Sequence, residues 1–322
     1  MVTINPVLER LLHSDEPTVR FKTLARVLRV PDGAPVLQET QAAIQTSPRV
    51  CRLLAHWGHD GAPPAHPYAK WVGAHWLLST LAELEYPPGD DTLIPLREQE
   101  LDWLLGVRHQ RGIRVINSRV RRCASQEGNA IYALLKLGLA DERVDELAAR
   151  LRHWQWPDGG WNCDKRPGAT HSSFMESLIP LRALALHAQA TGNRHSQAAA
   201  ERAAQIFLER RLYKRRRDGV VIDPDFVALH YPCYWHYDVL FGLKVMAEAG
   251  FIHDPRCVDA LDLLEAKELP DGGWPAEKKY YRVTDRPISG RSPVDWGGAH
   301  QRAMNEFVSV DALTVLRAAG RL

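Results

Sequence analysis

No apolar run in this chain exceeds a few residues, which excludes a membrane-spanning helix. Excess charge of one sign is missing too. Against 41 Lys and Arg stand 39 Asp and Glu, a formal net charge of +2. So balanced a chain has no field to hold a polyanion, which argues against nucleic acid as a partner. Cysteine is sparse, five residues with no C-x-x-C pair, so neither a disulfide framework nor a paired-cysteine structural zinc site is expected. The odd count points to reduced thiols and a cytoplasmic location. Met1-Val2-Thr3-Ile4-Asn5-Pro6 shows no basic region followed by an apolar stretch, so no signal peptide is expected. Walker, dinucleotide-binding and G-x-S-x-G patterns are absent, which argues against an NTPase, a Rossmann enzyme and a serine hydrolase. Phenylalanine is scarce, at 7, whereas Trp reaches 10 and His 14.

What is present repeats at helical spacing. Val144, Leu147, Ala148, Leu151 and Trp154 form one apolar stripe, opened by Asp141 as a cap. Val258, Leu261 and Leu264 form another, opened by Asp254-Pro255. Clusters of Pro and Gly separate such segments, and almost nothing reads as a strand. Two turns match: Gln155-Trp156-Pro157-Asp158-Gly159-Gly160-Trp161 returns as Glu268-Leu269-Pro270-Asp271-Gly272-Gly273-Trp274. Each follows an amphipathic helix and leads through a polar loop into an apolar one. Aligning the apolar tails (77–84, 133–139, 178–186, 242–250 and 312–320) gives units roughly 50 to 70 residues apart. An N-terminal helical pair within residues 1–30 makes about six helical hairpins. The expected fold is all-α, a single α/α toroid spanning 1–322.

The QWPDGGW turn resembles the QW repeat of squalene/oxidosqualene cyclases. Asp158 through Pro167-Gly168, followed by His171-Ser172-Ser173-Phe174, also resembles a segment of protein-prenyltransferase β-subunits. The resemblance implies a closed toroid with a cavity where the inner helices begin. Strong likeness is confined to the two DGGW turns. The acidic D-x-D-D motif with which cyclases protonate their substrate is absent, as is D-D-x-x-D, which argues against triterpene cyclisation. The Asp-x-Cys pair of the prenyltransferase zinc site is also missing, and Ser125-Gln126-Glu127-Gly128 stands in that place.

The tail alignment puts Lys70, Glu127, His171, His236 and Glu306 at one repeat position, with Asn129, Glu176, Asp238, Ser309 and Asp311 a turn deeper. The expectation is an enzyme with a central aromatic, Glu- and His-lined pocket for a small, partly apolar substrate. Glu127 and Glu306 are acid–base candidates, with His171, His236 and Asp238 beside them. Lys70 or Arg122 would neutralise an anionic group, and Tyr68, Glu176, Tyr234, Trp235 and Trp296 would wall the pocket. A zinc or manganese ion would sit on Glu127, His171 and His236, with Cys163 and Asp164 as further ligands. Trp154, Trp156, Trp161 and Trp274 are assigned to scaffold. A glycan-processing lyase or glycosidase and a non-catalytic helical-repeat interaction protein are the rival readings.

Overall fold

A computed structural model describes residues 6–55, 66–286 and 288–322. Trp57 and Pro63-Pro64 lie outside the described residues. Helices α1 (Pro6–Leu12), α2 (Pro17–Lys22), α3 (Pro35–Gln45), α4 (Pro48–Leu54), α5 (Ala74–Glu83), α6 (Ile94–Leu105) and α7 (Val107–Arg111) fill the first third. A small antiparallel hairpin, β1 (Arg114–Ile116) with β2 (Arg119–Arg121), interrupts them, a strand pair the periodicity does not announce. Then follow α8 (Ser125–Lys136), α9 (Glu142–Trp154), α10 (Phe174–Thr191), α11 (Arg194–Leu208), α12 (Val239–Glu248), α13 (Val258–Glu265) and α14 (Glu306–Ala318).

Six of these form an inner ring. Helix α5 packs on α8, α8 on α10, α10 on α12, α12 on α14, and α14 on α2 with the wider turn 23–27 that continues it. The seam from α2 back to α5 is closed by Thr18, whose hydroxyl donates to the Leu84 carbonyl at 2.9 Å, and by the Arg26–Glu85 ion pair. Outer helices α1, α3, α6, α9, α11 and α13 alternate with the inner ones along the chain. The chain is thus an all-α toroid. The outer helices bury one face only: α9 sinks Val144, Leu147, Ala148, Leu151 and Trp154, and is capped by Asp141 accepting from the Arg143 amide. Inner helices are covered on every side, so Ser125 through Leu134 of α8 are all buried.

The two DGGW turns are built alike. Trp161 and Trp274 donate their indole N–H to the carbonyls of Leu151 and Leu264, and their backbone N–H to the hydroxyls of Ser177 and Ser309. Gly159 and Gly272 have φ of +100° and +85°, a region that disfavours side chains. Trp154, Trp156, Trp161 and Trp274 are all buried. The basic block at 210–217 is held locally, Arg211 and Lys214 by Asp259 and Arg216 by Glu209. Among the described residues no helix is long and apolar enough to cross a membrane.

Candidate functional site

The middle and last turns of the inner helices meet on the ring axis, and each places a charged or hydroxyl side chain there. Lys22 of α2 donates to Asp311 of α14 at 3.0 Å. Asp311 in turn accepts from Lys244 of α12 at 3.0 Å, and Lys244 reaches Glu83 of α5 at 2.8 Å. Glu83 also binds Arg182 of α10, which pairs with Glu248 of α12 at 2.5 and 2.7 Å and donates to the Tyr132 hydroxyl of α8 at 2.6 Å. The layer is electrically even, Lys22, Lys244 and Arg182 against Asp311, Glu83 and Glu248. Burial works to raise Asp311 and Glu83. For Glu83 the Arg182 and Lys244 charges overcome it, and for Asp311 the Lys22 and Lys244 charges do. Both carboxyls end below the usual range.

Beneath this layer, toward the carboxyl ends of the inner helices, opens a cavity of about 340 Å³. Leu186, Ala247 and Val315 give it an apolar wall, and Arg26 and Lys136 share Glu85 at its mouth. Burial would raise Glu85, but Lys136 and Arg26 bring it down to about 2. Above the layer lies a hollow of about 20 Å³, lined by Ser79, Asn129, Cys233 and Tyr234 among others. Tyr234 stacks on Trp71 at 3.7 Å and so roofs the axis on this side. Next to it His236 is sandwiched between Trp235 (4.2 Å) and Tyr280 (3.6 Å), and Lys70 lies over the Trp235 ring at 5.0 Å. Burial, then His230 and Lys70, lower His236 to about 3, so its ring is neutral.

None of Lys70, Glu127, His171, His236 and Glu306 lines the axial cavity. The five inner helices with aligned tails differ in length, from 10 residues in α5 to 18 in α10, so the alignment puts their heads out of step. Lys70, His171 and His236 fall in the loops before α5, α10 and α12. His171 is exposed, with its backbone carbonyl bound by Asn162. Glu127 is fully buried and clamped by Arg122 at 2.6 and 2.9 Å, with His109 at 3.6 Å. Burial raises Glu127, but Arg122 holds it below the usual range, which suits an anchor more than a general acid. Glu306 accepts from the Ser14 hydroxyl at 2.6 Å where α1 and α2 meet α14. Asp238 is a cap, taking the Phe241 and His230 amides and lying 2.6 Å from His230 Nδ1. Trp296 is wholly buried against Tyr231 and Phe307, a core position and not a pocket wall.

The expected metal set is likewise dispersed. Asp164 is turned to Arg166 at 2.6 Å. Cys163 instead meets Cys123 and Glu176, the one group of three potential ligands found among the described residues. The hydrogen bond between the thiols pushes Cys123 up and Cys163 down, and burial pushes Glu176 up. Tyr68 lies nearby, raised by burial to about 12 and hydrogen-bonded to Gln126.

Of the axial charges the repeat alignment reaches only Asp311; Arg182 and Lys244 leave another trace, one charged residue inside an apolar run, as in Leu181-Arg182-Ala183 and Leu243-Lys244-Val245.

No family model matches the chain, and no curated protein matches it. Among solved structures it is similar to the unsaturated glucuronyl hydrolase of Bacillus sp. GL1, at 15% identity and a TM-score of 0.46, over 94% of this chain and 84% of that one. It is also similar to the type II terpene cyclase MstE from Scytonema, solved with geranylgeranyl dihydroxybenzoate, at 16% identity and a TM-score of 0.27, over 99% and 100%. Both are α/α toroids.

Proposed function

We propose that this chain is an enzyme that takes a small, partly apolar substrate bearing an anionic group into the axial cavity. The ion layer at the cavity floor carries the reading. Buried ion pairs add little stability over apolar packing, because desolvation offsets the Coulombic gain. Six charges kept on the axis therefore point to a use beyond holding the ring. Each is gripped by neighbours and stays in place, and such a preorganised field stabilises charge that develops during a reaction. At the mouth Arg26 and Lys136 outnumber Glu85, which favours an anionic group, while Leu186, Ala247 and Val315 suit a hydrocarbon portion.

The test screens short acyl and isoprenyl carboxylates and phosphates for thermal stabilisation, then follows conversion by mass spectrometry. A ligand at about 100 times its Kd should raise the melting temperature on the order of 5 °C. Thr314→Trp, which fills the cavity while keeping every charge of the ion layer, should abolish the shift. Equal shifts in wild type and Thr314→Trp would overturn the reading.

A glycan-processing enzyme is the second reading, favoured by the stacked Trp235, His236 and Tyr280 at the opposite end of the axis. Such an enzyme needs a carboxyl group that keeps its proton near neutrality. Glu176, raised by burial, is its candidate. Cleavage of an unsaturated uronate disaccharide, lost in Glu176→Gln, would favour it.

A further inference from the structure

We propose that Cys123, Cys163 and Glu176 form a zinc(II) site with one open coordination position at the amino-terminal rim of the ring. Their ligand atoms all lie within 4.8 Å of one another, and Cys163 Sγ is 3.7 Å from Glu176 Oε1. Around a tetrahedral zinc with Zn–S of ~2.3 Å and Zn–O of ~2.0 Å, neighbouring ligand atoms stand about 3.5 to 3.8 Å apart. The trio therefore approximates one face of the tetrahedron before any ion arrives.

Glu176 is the independent witness. It is only 8% exposed and has no ion-pair partner among the described residues. The backbone N–H of Ser125 donates to its Oε2 at 3.1 Å, which fixes the carboxylate and leaves Oε1 at the cysteine sulfur. Outer-shell bonds of this kind orient metal ligands. Cys123 stands two residues before α8 and Glu176 in the first turn of α10, so the positive ends of two helices face the anionic ligands. Those helices are rigidly joined, because Gly128 of α8 sits directly against Ile179 and Pro180 of α10. Cys163 arrives on the loop after the first DGGW turn, anchored by the Trp161–Ser177 bond. Both cysteines are free and half-buried, which gives the fourth position access to solvent. On binding, the thiols enter as thiolates and their protons pass to solvent. The metal would take Glu176 away from the glycan reading, but the site stands apart from the axial cavity, and metal content is read independently of ligand binding there.

The experiment measures metal in the full, tag-free chain by mass spectrometry, then replaces zinc with cobalt(II). About one equivalent is expected, with a thiolate-to-cobalt charge-transfer band. Cys163→Ser and Glu176→Gln should each weaken binding by about tenfold or more, whereas Cys51→Ser should leave it unchanged. Helical circular dichroism checks that each variant folds. If Cys163→Ser does not fold, the wild-type cobalt spectrum and Glu176→Gln decide. Absence of bound zinc or cobalt, an unchanged band in Cys163→Ser, or a Cys123–Cys163 disulfide would overturn the proposal.

Discussion

At Arg182 a single guanidinium meets Glu248 through two N–H bonds, Glu83 through another, and the Tyr132 hydroxyl, while lying 3.6 Å from the Tyr132 ring centre. Arg182→Met leaves two carboxylates facing a vacated cation, and should cost about 3–5 kcal/mol in urea denaturation. Arg182→Lys keeps the charge but loses the planar fork, so it should recover only part of that loss. At this scale the chain was partly legible. Cys163 was singled out as a ligand, and Glu176 as a residue facing the site, from their places before or at the start of an inner helix. Cys123 precedes an inner helix as Cys163 does, which places both thiols on one face of the ring. That Glu176 joins these two depends on how α8 and α10 lean together, and no spacing encodes that. Lone charges in apolar runs were the overlooked trace, since a charge there also reads as an accident of helix orientation until its partners on other helices are known.

Among the elements, the repeated turn was the most legible feature, and it transmits the same bonds twice. Ser177 of α10 and Ser309 of α14 each accept a tryptophan backbone N–H. Ser177→Ala and Ser309→Ala should therefore destabilise by similar amounts, about 1–2 kcal/mol each, measured by urea midpoints with unchanged slope. The α8–α10 contact offers a sharper test. A Cβ at Gly128 would come 2.9 Å from Ile179 Cγ2 and 3.0 Å from the Pro180 nitrogen. Gly128→Val should cost about 1–3 kcal/mol by overpacking and should lower cobalt affinity by moving Ser125 and Glu176 apart. Helix heads were poorly legible for a plain reason: the apolar tail of each inner helix is a packing requirement, whereas its start is set by loops of different lengths.

For the whole molecule, the ion layer ties all six inner helices, and two of its carboxylates, with Glu85 at the cavity mouth, set an acid limit. Asp311, Glu83 and Glu85 are held below the ordinary carboxylate range in the folded chain. As pH falls through that range, the unfolded chain takes up protons that the folded chain still refuses, so stability present at neutral pH is lost from about pH 5 downward. Urea midpoints should drop on acidification in wild type. Asp311→Asn should be less stable at pH 7 and lose less between pH 7 and 4.

Ring closure also has a consequence in time. Lys22 and Asp311 are 289 residues apart in the chain, and Ser14 and Glu306 are 292 apart. At a synthesis rate of about 5–20 residues per second, the first helical pair emerges roughly 15–60 s before the helix that completes it. For that interval a lysine made for the interior is without its aspartate, and the flank of α2 that belongs against α14 is open to the cell. Helices α1 and α2, which leave the ribosome well before α14, are thus among the last elements to be finished, and chaperone dependence should concentrate on them.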